Sequence, residues 1–438
     1  MACKAGHQGC KSRLPEIPDL PHGELVEPRK TVVSVVTTLT PSTEQEIVDA
    51  VQWALAEKAP VEIIGHGSKR DLGRPLQTEH TIALTNYTGV TLYEPDELVL
   101  SAKAGTPIAE LETLLASNGQ AFQFEPMDYG PLLGQPGGRG SFGGLLATNL
   151  CGPRRLKSGS ARDHVLGVRV VSGRGELFKS GGRVVKNVTG YDLSKGMANS
   201  WGTLGIATEI TFKVLPAPET ETTLVLHGLA DDEAARAMAI AMGSSGEVAS
   251  AAHLPGNVAG RMIDGALHGE ASTLLRLEGF APSVADRATM LKGLLASAGS
   301  IDELGGGTSR KLWREIRDVM PFADGTDRPV WRVSMTPMEA FKLVASLRMG
   351  AAVDAFYDWQ GGLVWLRMEG DPEAEAVRAL IAKYGGGHAT LVRASVAVRA
   401  ALPVFEPQPA PLAALSKRLK QQFDPGGILN PGRMVAGV

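Results

Sequence analysis

The sequence predicts a mixed fold in which strands and helices alternate, spread over two or three domains. Three observations predict it. The chain has 438 residues, a length that suggests two or three domains. Short apolar runs alternate with helical-period runs through the first half of the chain. One glycine-dense run, Gly130 to Pro153, interrupts that rhythm with eight glycines in twenty-four residues. Glycine loses the most backbone freedom on folding, so such a run is costly unless the chain must pass close to something. The run also carries Leu145, Leu146, Ala147, Asn149 and Leu150, so it is not a flexible linker. Two readings stand: a tight turn between two elements, or a backbone wall laid against a flat or phosphorylated ligand.

Composition narrows the class. Hydrophobic residues make up 43% and charged residues 21%, values of an ordinary globular protein. Lys and Arg number 44 against 47 Asp and Glu, a net charge of −3, so no global basic field points to nucleic acid or an anionic membrane. Cysteines are three: Cys3, Cys10 and Cys151. That count excludes an iron–sulfur cluster held by four thiolates of this chain and does not suggest a disulfide-stapled secreted protein. Cys3, His7 and Cys10 could hint at a metal, but no second ligand pair follows at zinc-finger spacing, and a loose tail is the plainer reading. Neither a signal peptide nor a transmembrane run is visible, which makes the cytoplasm the expected compartment.

In order, residues 1–30 are polar and proline-marked and read as a loose arm. Val32–Thr37 reads as a strand. Ser42 with Gln45 fits a capping box ahead of a helix whose buried face is Ile47, Val48, Val51 and Leu55. Val61–Ile64 is a strand that runs into Gly65-His66-Gly67-Ser68-Lys69. Successive amides at such a turn form a nest for phosphate oxygens, and Ser68 adds a hydroxyl. Arg70 stands where a dinucleotide fingerprint needs its third glycine, so a classical Rossmann site is not expected. Thr81–Leu84 and Leu98–Lys103 are strands. Thr106 as N-cap and Pro107 at the first position start a helix that Gly119 ends. Ala121–Phe124 is a short strand, and the glycine run follows. A basic, small-residue loop from Arg154 to His164 leads into the strand Val165–Val171. Ile210–Leu215 is a further strand, and Pro216 and Pro218 mark a boundary.

Six pieces in this order resemble the flavoproteins of the vanillyl-alcohol oxidase / PCMH type. They are GHGS at 65–68, GGLLATNLCG at 143–152, DHVLGVRVV at 163–171, KNVTGYDLSK at 186–195, GTLGIATEITFKVLP at 202–216 and FDPGGILNPGR at 423–433. The resemblance implies a two-part α+β FAD-binding domain, a separate cap over the flavin ring, and a chain end that returns to the flavin. Its expected bounds are an arm at 1–30, the FAD-binding domain at 31–217, the cap at 218–402 and the returning segment at 403–438. By resemblance, Gly65, His66, Gly67, Ser68 and Lys69 hold the pyrophosphate. Gly143, Gly144, Thr148, Asn149, Gly152, Ser158, Gly159 and Asp163 line the cofactor, Gly205 and Ile206 pack on it, and Asn430 lies near the ring. Within the family, Gly152-Pro153-Arg154-Arg155, the KNVTGYDLSK segment and Gly387–Arg393 are similar to the smaller FAD-binding subunit of bacterial glycolate oxidases.

That likeness implies an oxidoreductase acting on a 2-hydroxy acid: glycolate to glyoxylate, with electrons passed to a larger flavoprotein subunit and an iron–sulfur subunit. The likeness would also allow placement on the inner face of the cell membrane through that complex. A stand-alone D-2-hydroxy-acid dehydrogenase and a non-catalytic FAD-retaining relay subunit are the alternatives. Such chemistry needs an arginine for the carboxylate and a base for the hydroxyl proton, commonly histidine. The cap offers Arg276, Arg332, Arg393 and His388, of which His388 and Arg393 are taken as the catalytic pair. Related D-2-hydroxy-acid dehydrogenases hold a divalent metal with histidines seven apart. None of the nine histidines here form such a pair, so no metal site is expected. Family members that attach FAD covalently through the first loop place a histidine directly before the serine. Gly67 fills that place here, which points to non-covalent FAD.

Overall fold

The computed structural model describes residues 37–183 and 190–436. Three sheets carry the fold. The first is a parallel three-stranded sheet in the spatial order Thr37–Leu39, His80–Ala83, Val61–Ile64. Against it packs the helix Glu44–Ala56, which buries Ile47, Val48 and Val51. Its cap sits one residue later than Ser42 implies. Thr43 Oγ1 accepts from the Glu46 amide, while the Glu46 carboxylate reaches past the cap to the Ser42 amide at 2.7 Å. Thr106 is likewise not a cap. Its hydroxyl is turned to the Lys103 carbonyl and the Gly89 amide, and Pro107 takes the N-cap position of Ile108–Ala116.

The second sheet is antiparallel and five-stranded: Val90–Glu94, Val99–Lys103, Gly205–Lys213, Val165–Ser172, Leu177–Gly181. Phe122, Phe124, Phe142 and Phe212 fill the space over it in edge and tilted contacts. The segment around Ala121 contributes only the two-residue strand Gln120–Ala121. Beyond it the chain turns into the loop that carries Glu125, which has φ 51°. Part of the 186–195 motif, and the Val32–Val36 portion of the first expected strand, lie outside the described residues.

The third sheet has eight antiparallel strands and spans Thr220–His227 to Gly387–Arg393. Alternation of helix and strand is what the sequence predicts there, but the order is more regular than the sequence indicates. Each half runs strand–helix–strand–strand–helix–strand, the split βαβ arrangement, over 220–305 and again over 330–393. The halves join where Ser250–Leu254 meets Val353–Asp358, at His253 opposite Tyr357. Each strand alternates between two cores. Trp331, Val333, Leu391 and Ala389 face the helices Ala340–Arg348 and Ala374–Lys383. Val330, Phe356, Trp365 and Val392 share a core with Tyr129 and Phe142 of the first half of the chain.

A buried ion cluster seats the eight-stranded sheet on the five-stranded part. Arg276 reaches Glu125 at 2.7 Å, Glu278 at 2.8 Å and Glu221 at 3.0 Å, and Arg154 bonds Glu278 through Nε and Nη2. The chain end returns beside Val61, whose amide bonds the Ile428 carbonyl and whose carbonyl accepts from the Asn430 amide. Asn430 is 3% exposed; its side chain accepts from the Ile63 amide and donates to the Trp201 carbonyl, both at 2.8 Å.

Burial alone would raise the Glu125 carboxyl, but Arg276 and Arg154 hold it down to about 2. The unfolded chain titrates near about 4.3. Its stabilising contribution is therefore complete above about pH 5 and is lost as pH falls toward 2. Removing one partner of such a cluster costs about 3–5 kcal/mol. Glu125→Gln is expected to lower the urea midpoint at pH 7 by a corresponding margin and to flatten the midpoint's fall between pH 5 and 3. Equal midpoints for both proteins at pH 7 would refute the assignment.

Candidate functional site

A cavity opens between the three-stranded sheet, the five-stranded sheet and the chain end. Two glycine segments make its walls. The first is the turn Gly65–Lys69 that follows the Val61–Ile64 strand, and the second is the short helix Phe142–Thr148. They approach each other too closely for side chains. A Cβ on Gly65 would lie 2.0 Å from Ser141 Oγ, and a Cβ on Gly143 would lie 2.9 Å from the Ala104 Cβ. Ser141 caps the short helix through the Gly144 amide at 3.2 Å. The wall is backbone because only backbone fits.

One charged group faces this space without a counter-ion. The Lys69 ammonium bonds only the neighbouring Ser68 hydroxyl, at 3.2 Å, and makes no ion pair among the described residues. Burial pushes its amine down to about 8, against the pull of the Asp128 charge. A half-buried cation beside a row of backbone amides is the donor set that phosphate oxygens require. Arg433 closes the same end, with Nη2 donating to the Lys69 carbonyl at 2.9 Å. Arg433 belongs to the returning motif at 423–433, for which the resemblance implies a place near the ring only at Asn430. Gly202, which opens the 202–216 motif, also lines the cavity, as do Ser200 and Trp201, which lie just outside that motif.

The expected cofactor residues divide into two groups. Gly65, His66, Gly67, Ser68, Lys69, Gly143, Gly144, Thr148, Gly205, Ile206 and Asn430 all line the cavity. His66 is tied down there, since its Nε2–H donates to the Gly105 carbonyl at 2.8 Å. The amide of Asn430 is spent on Ile63 and Trp201, so it shapes the wall rather than offering a free donor. Asn149, Gly152, Ser158, Gly159 and Asp163 stand off this wall. Asn149 ends the short helix at φ 48° and accepts from the Arg162 amide. A Cβ on Gly152 would meet Glu125 and Arg317 rather than the cavity. Asp163 caps its own turn at Ser160, and Ser158 accepts from His164.

The cap residues also separate. Arg393 is 5% exposed and largely consumed: Nε donates to the Arg328 carbonyl, Nη1 to the Phe322 carbonyl at 2.6 Å, and Asp324 lies 3.0 Å away, with only Nη2 left without a partner. It pins the last cap strand and is not free for a substrate. Arg276 is consumed in the ion cluster. His388 is exposed on the Gly387–Arg393 strand, opposite Ser334. Desolvation by its surroundings and the charge of Arg332 hold its imidazole below the usual histidine range.

The comparisons with known proteins follow this geometry. An FAD-binding domain model matches residues 37–181, which contain both glycine walls. Glycolate oxidase subunit GlcE of Escherichia coli (strain K12) is 35% identical over 395 residues, covering 90% of this chain and 97% of that one. The chain belongs to the GlcE family of FAD-binding oxidoreductases. A D-lactate dehydrogenase of Anaerostipes hadrus is 34% identical to this GlcE-family chain over 145 residues, 33% of this chain and 29% of that one. p-Cresol methylhydroxylase with substrate bound superposes with a TM-score of 0.66 at 15% identity, over 91% of this chain and 88% of that one, so the fold is of the PCMH type. Among the described residues no helix is long and apolar enough to cross a membrane.

A Cβ on Gly144 would sit 3.0 Å from Ser141 Oγ and 3.6 Å from Lys69 Nζ, and larger branches would enter the cavity. Gly144→Val is expected to purify folded, with far-ultraviolet circular dichroism unchanged, but with less than about a tenth of the wild-type flavin absorbance per chain. Full flavin content in that variant would return the glycine run to a tight turn.

Proposed function

We propose that this chain is the non-covalent FAD-binding subunit of a complex that oxidises glycolate to glyoxylate and passes the electrons to partner subunits. The observation that carries the reading is the half-buried Lys69, without an ion pair among the described residues, at the glycine-walled cavity, in a chain that matches GlcE along nearly its whole length. The Gly65–Lys69 turn would hold the pyrophosphate, and the walls from Gly143 to Thr148 and at Gly205 and Ile206 would hold the rest of the cofactor. Non-covalent attachment is supported by His66, whose Nε2 is committed to Gly105, and by Gly67, which stands directly before Ser68.

FAD, when bound, supplies the acceptor for the hydride equivalent that leaves the α-carbon of the acid. The chain's own part is to bind, orient and manage the proton. His388, with its ring held neutral at pH 7, would take the hydroxyl proton on its unprotonated nitrogen. With three cysteines, one of them the buried Cys151, this chain alone cannot hold a four-thiolate cluster. Electrons would therefore leave through a larger flavoprotein subunit and an iron–sulfur subunit. The D-lactate dehydrogenase likeness favours a second reading, a stand-alone dehydrogenase of D-2-hydroxy acids, although it spans only a third of this chain.

Two measurements test this. Deleting this chain from the purified complex is expected to remove flavin and abolish glycolate-dependent dye reduction; unchanged flavin and full activity would sink the proposal. The second concerns Lys69. Its amine titrates near 8 in the free protein, and a pyrophosphate beside it would favour the protonated form. FAD binding above pH 8 must then take up a proton, so affinity should fall as pH rises from 8 to 9.5, by up to about tenfold per unit. Lys69→Met should weaken binding at pH 7 and flatten that slope. A wild-type dissociation constant independent of pH would contradict the placement.

A further inference from the structure

Among the described residues, the cap leaves one half-buried arginine uncommitted. Arg332, on the strand Val330–Met335, is half-buried, and among the described residues it has no hydrogen bond and no ion pair. Its Nε is fully buried without a partner. An arginine in that state is rare, because a guanidinium removed from water without an anion is strongly destabilising. What holds it is a ring: its guanidinium carbon lies 5.0 Å from the centroid of Trp359. Trp359 is itself fixed on both sides. Its Nε1–H donates to the Gly152 carbonyl at 3.1 Å, and its backbone amide donates to Asp358 at 2.7 Å. Trp359 and Gln360 sit at φ 52° and 61°, two consecutive non-glycine residues in a left-handed conformation that is sparsely populated.

These contacts connect the cap to the flavin cavity. Gly152 ends the segment whose Gly143, Gly144 and Thr148 line that cavity. Strand register puts Arg332 opposite Thr390 and Ser334 opposite His388, so these four side chains share the sheet face that also carries Trp365 and Phe356. That is the face turned toward the core shared with Tyr129 and Phe142. Asp358, whose carboxyl feels the charge of Arg332, does not neutralise it. Asp358 is buried, which pushes its carboxyl up to about 8 and keeps it largely uncharged at pH 7.

We infer that Arg332, held on the Trp359 ring beside the glycine segment of the cavity, is the anchor of a carboxylate-binding site within this chain. The inference rests on the acid-oxidation reading above and deepens it: the substrate acid would dock on this subunit and not only on a partner. A small monocarboxylate or dicarboxylate supplies the planar pair of oxygens that a guanidinium bonds bidentately. Ser334, Thr390 and His388 stand on the same face to meet its remaining oxygens.

The test is calorimetric titration of oxalate into the full, FAD-loaded chain, with no turnover involved. Wild type should bind oxalate saturably. Arg332→Met should weaken it about ten- to hundredfold, with flavin content and melting midpoint unchanged. Arg332→Lys, which keeps the charge and loses the fork, carries the test if the Met variant does not fold, and should still weaken binding. Trp359→Leu should weaken oxalate less than Arg332→Met, with Trp359→Phe restoring most of it. Wild type without measurable binding, wild-type affinity in both Arg332 variants, or phosphate binding as well as oxalate would overturn the site. The two readings fail separately. If oxalate binding depends on Arg332 but glycolate never bleaches the flavin under anaerobic conditions, the substrate assignment falls and the site stands. If glycolate bleaches Arg332→Met at the wild-type half-saturation, the site falls and the function stands.

Discussion

The cavity walls are glycine where a neighbouring residue already fills the place of a Cβ. At Gly65 the space for a methyl group is already occupied by Ser141, and at Gly143 it is occupied by Ala104. Ser141 is the hinge of the arrangement, since the same hydroxyl that crowds Gly65 also caps the Phe142–Thr148 helix through Gly144. Everything that faces the cavity follows from that close packing: amides from two segments converge, Lys69 is trapped between them, and water is partly displaced from the amine. The chain end completes the enclosure. Asn430 bonds Ile63 on one side and Trp201 on the other, so a residue close to the C-terminus staples the first glycine segment to the loop before the Gly205–Lys213 strand.

A second constraint decides what the cap can do. Three of its arginines had equal claim to a substrate carboxylate on residue type alone. Burial separates them. Arg276 is locked among Glu125, Glu221 and Glu278, and Arg393 is locked among carbonyls and Asp324. Their charges are cancelled, and their geometry is spent on seating the cap and closing its last strand. Arg332 alone is stacked rather than paired. The same principle that makes buried carboxylates bind arginines makes an unpaired buried arginine informative.

Much of this was legible in the sequence. The strand–glycine–glycine–serine turn at Val61–Ser68 and the run around Gly143 announced themselves because close backbone approach has a composition, and six ordered motifs named the cofactor class. The Glu44–Ala56 helix was readable from the apolar period of Ile47, Val48 and Val51. What failed to be read was long-range. Asn149, Gly152 and Asp163 sit inside a matching motif, yet their groups are spent on local turns and on the cap contact. Thr43 and Ser42 compete for one cap, and the Glu46 amide, which bonds Thr43, decides between them. The paired split βαβ units of the cap have helices and strands of unremarkable composition, and their repetition appears only in the order of pairing. Arg393 and Arg332 look alike as letters on a strand; Phe322, Leu132 and Asp324, distant in sequence from Arg393, make the difference.

The central claim is that the glycine-walled cavity holds FAD with its pyrophosphate against Lys69. A crystal structure of the flavin-loaded chain tests it most directly. The account predicts pyrophosphate oxygens within hydrogen-bond distance, about 2.7–3.2 Å, of Lys69 Nζ and of amides in the Gly65–Lys69 turn, with the flavin ring toward Asn430. Flavin density elsewhere in the molecule, or a pyrophosphate that leaves Lys69 unpaired, would contradict it.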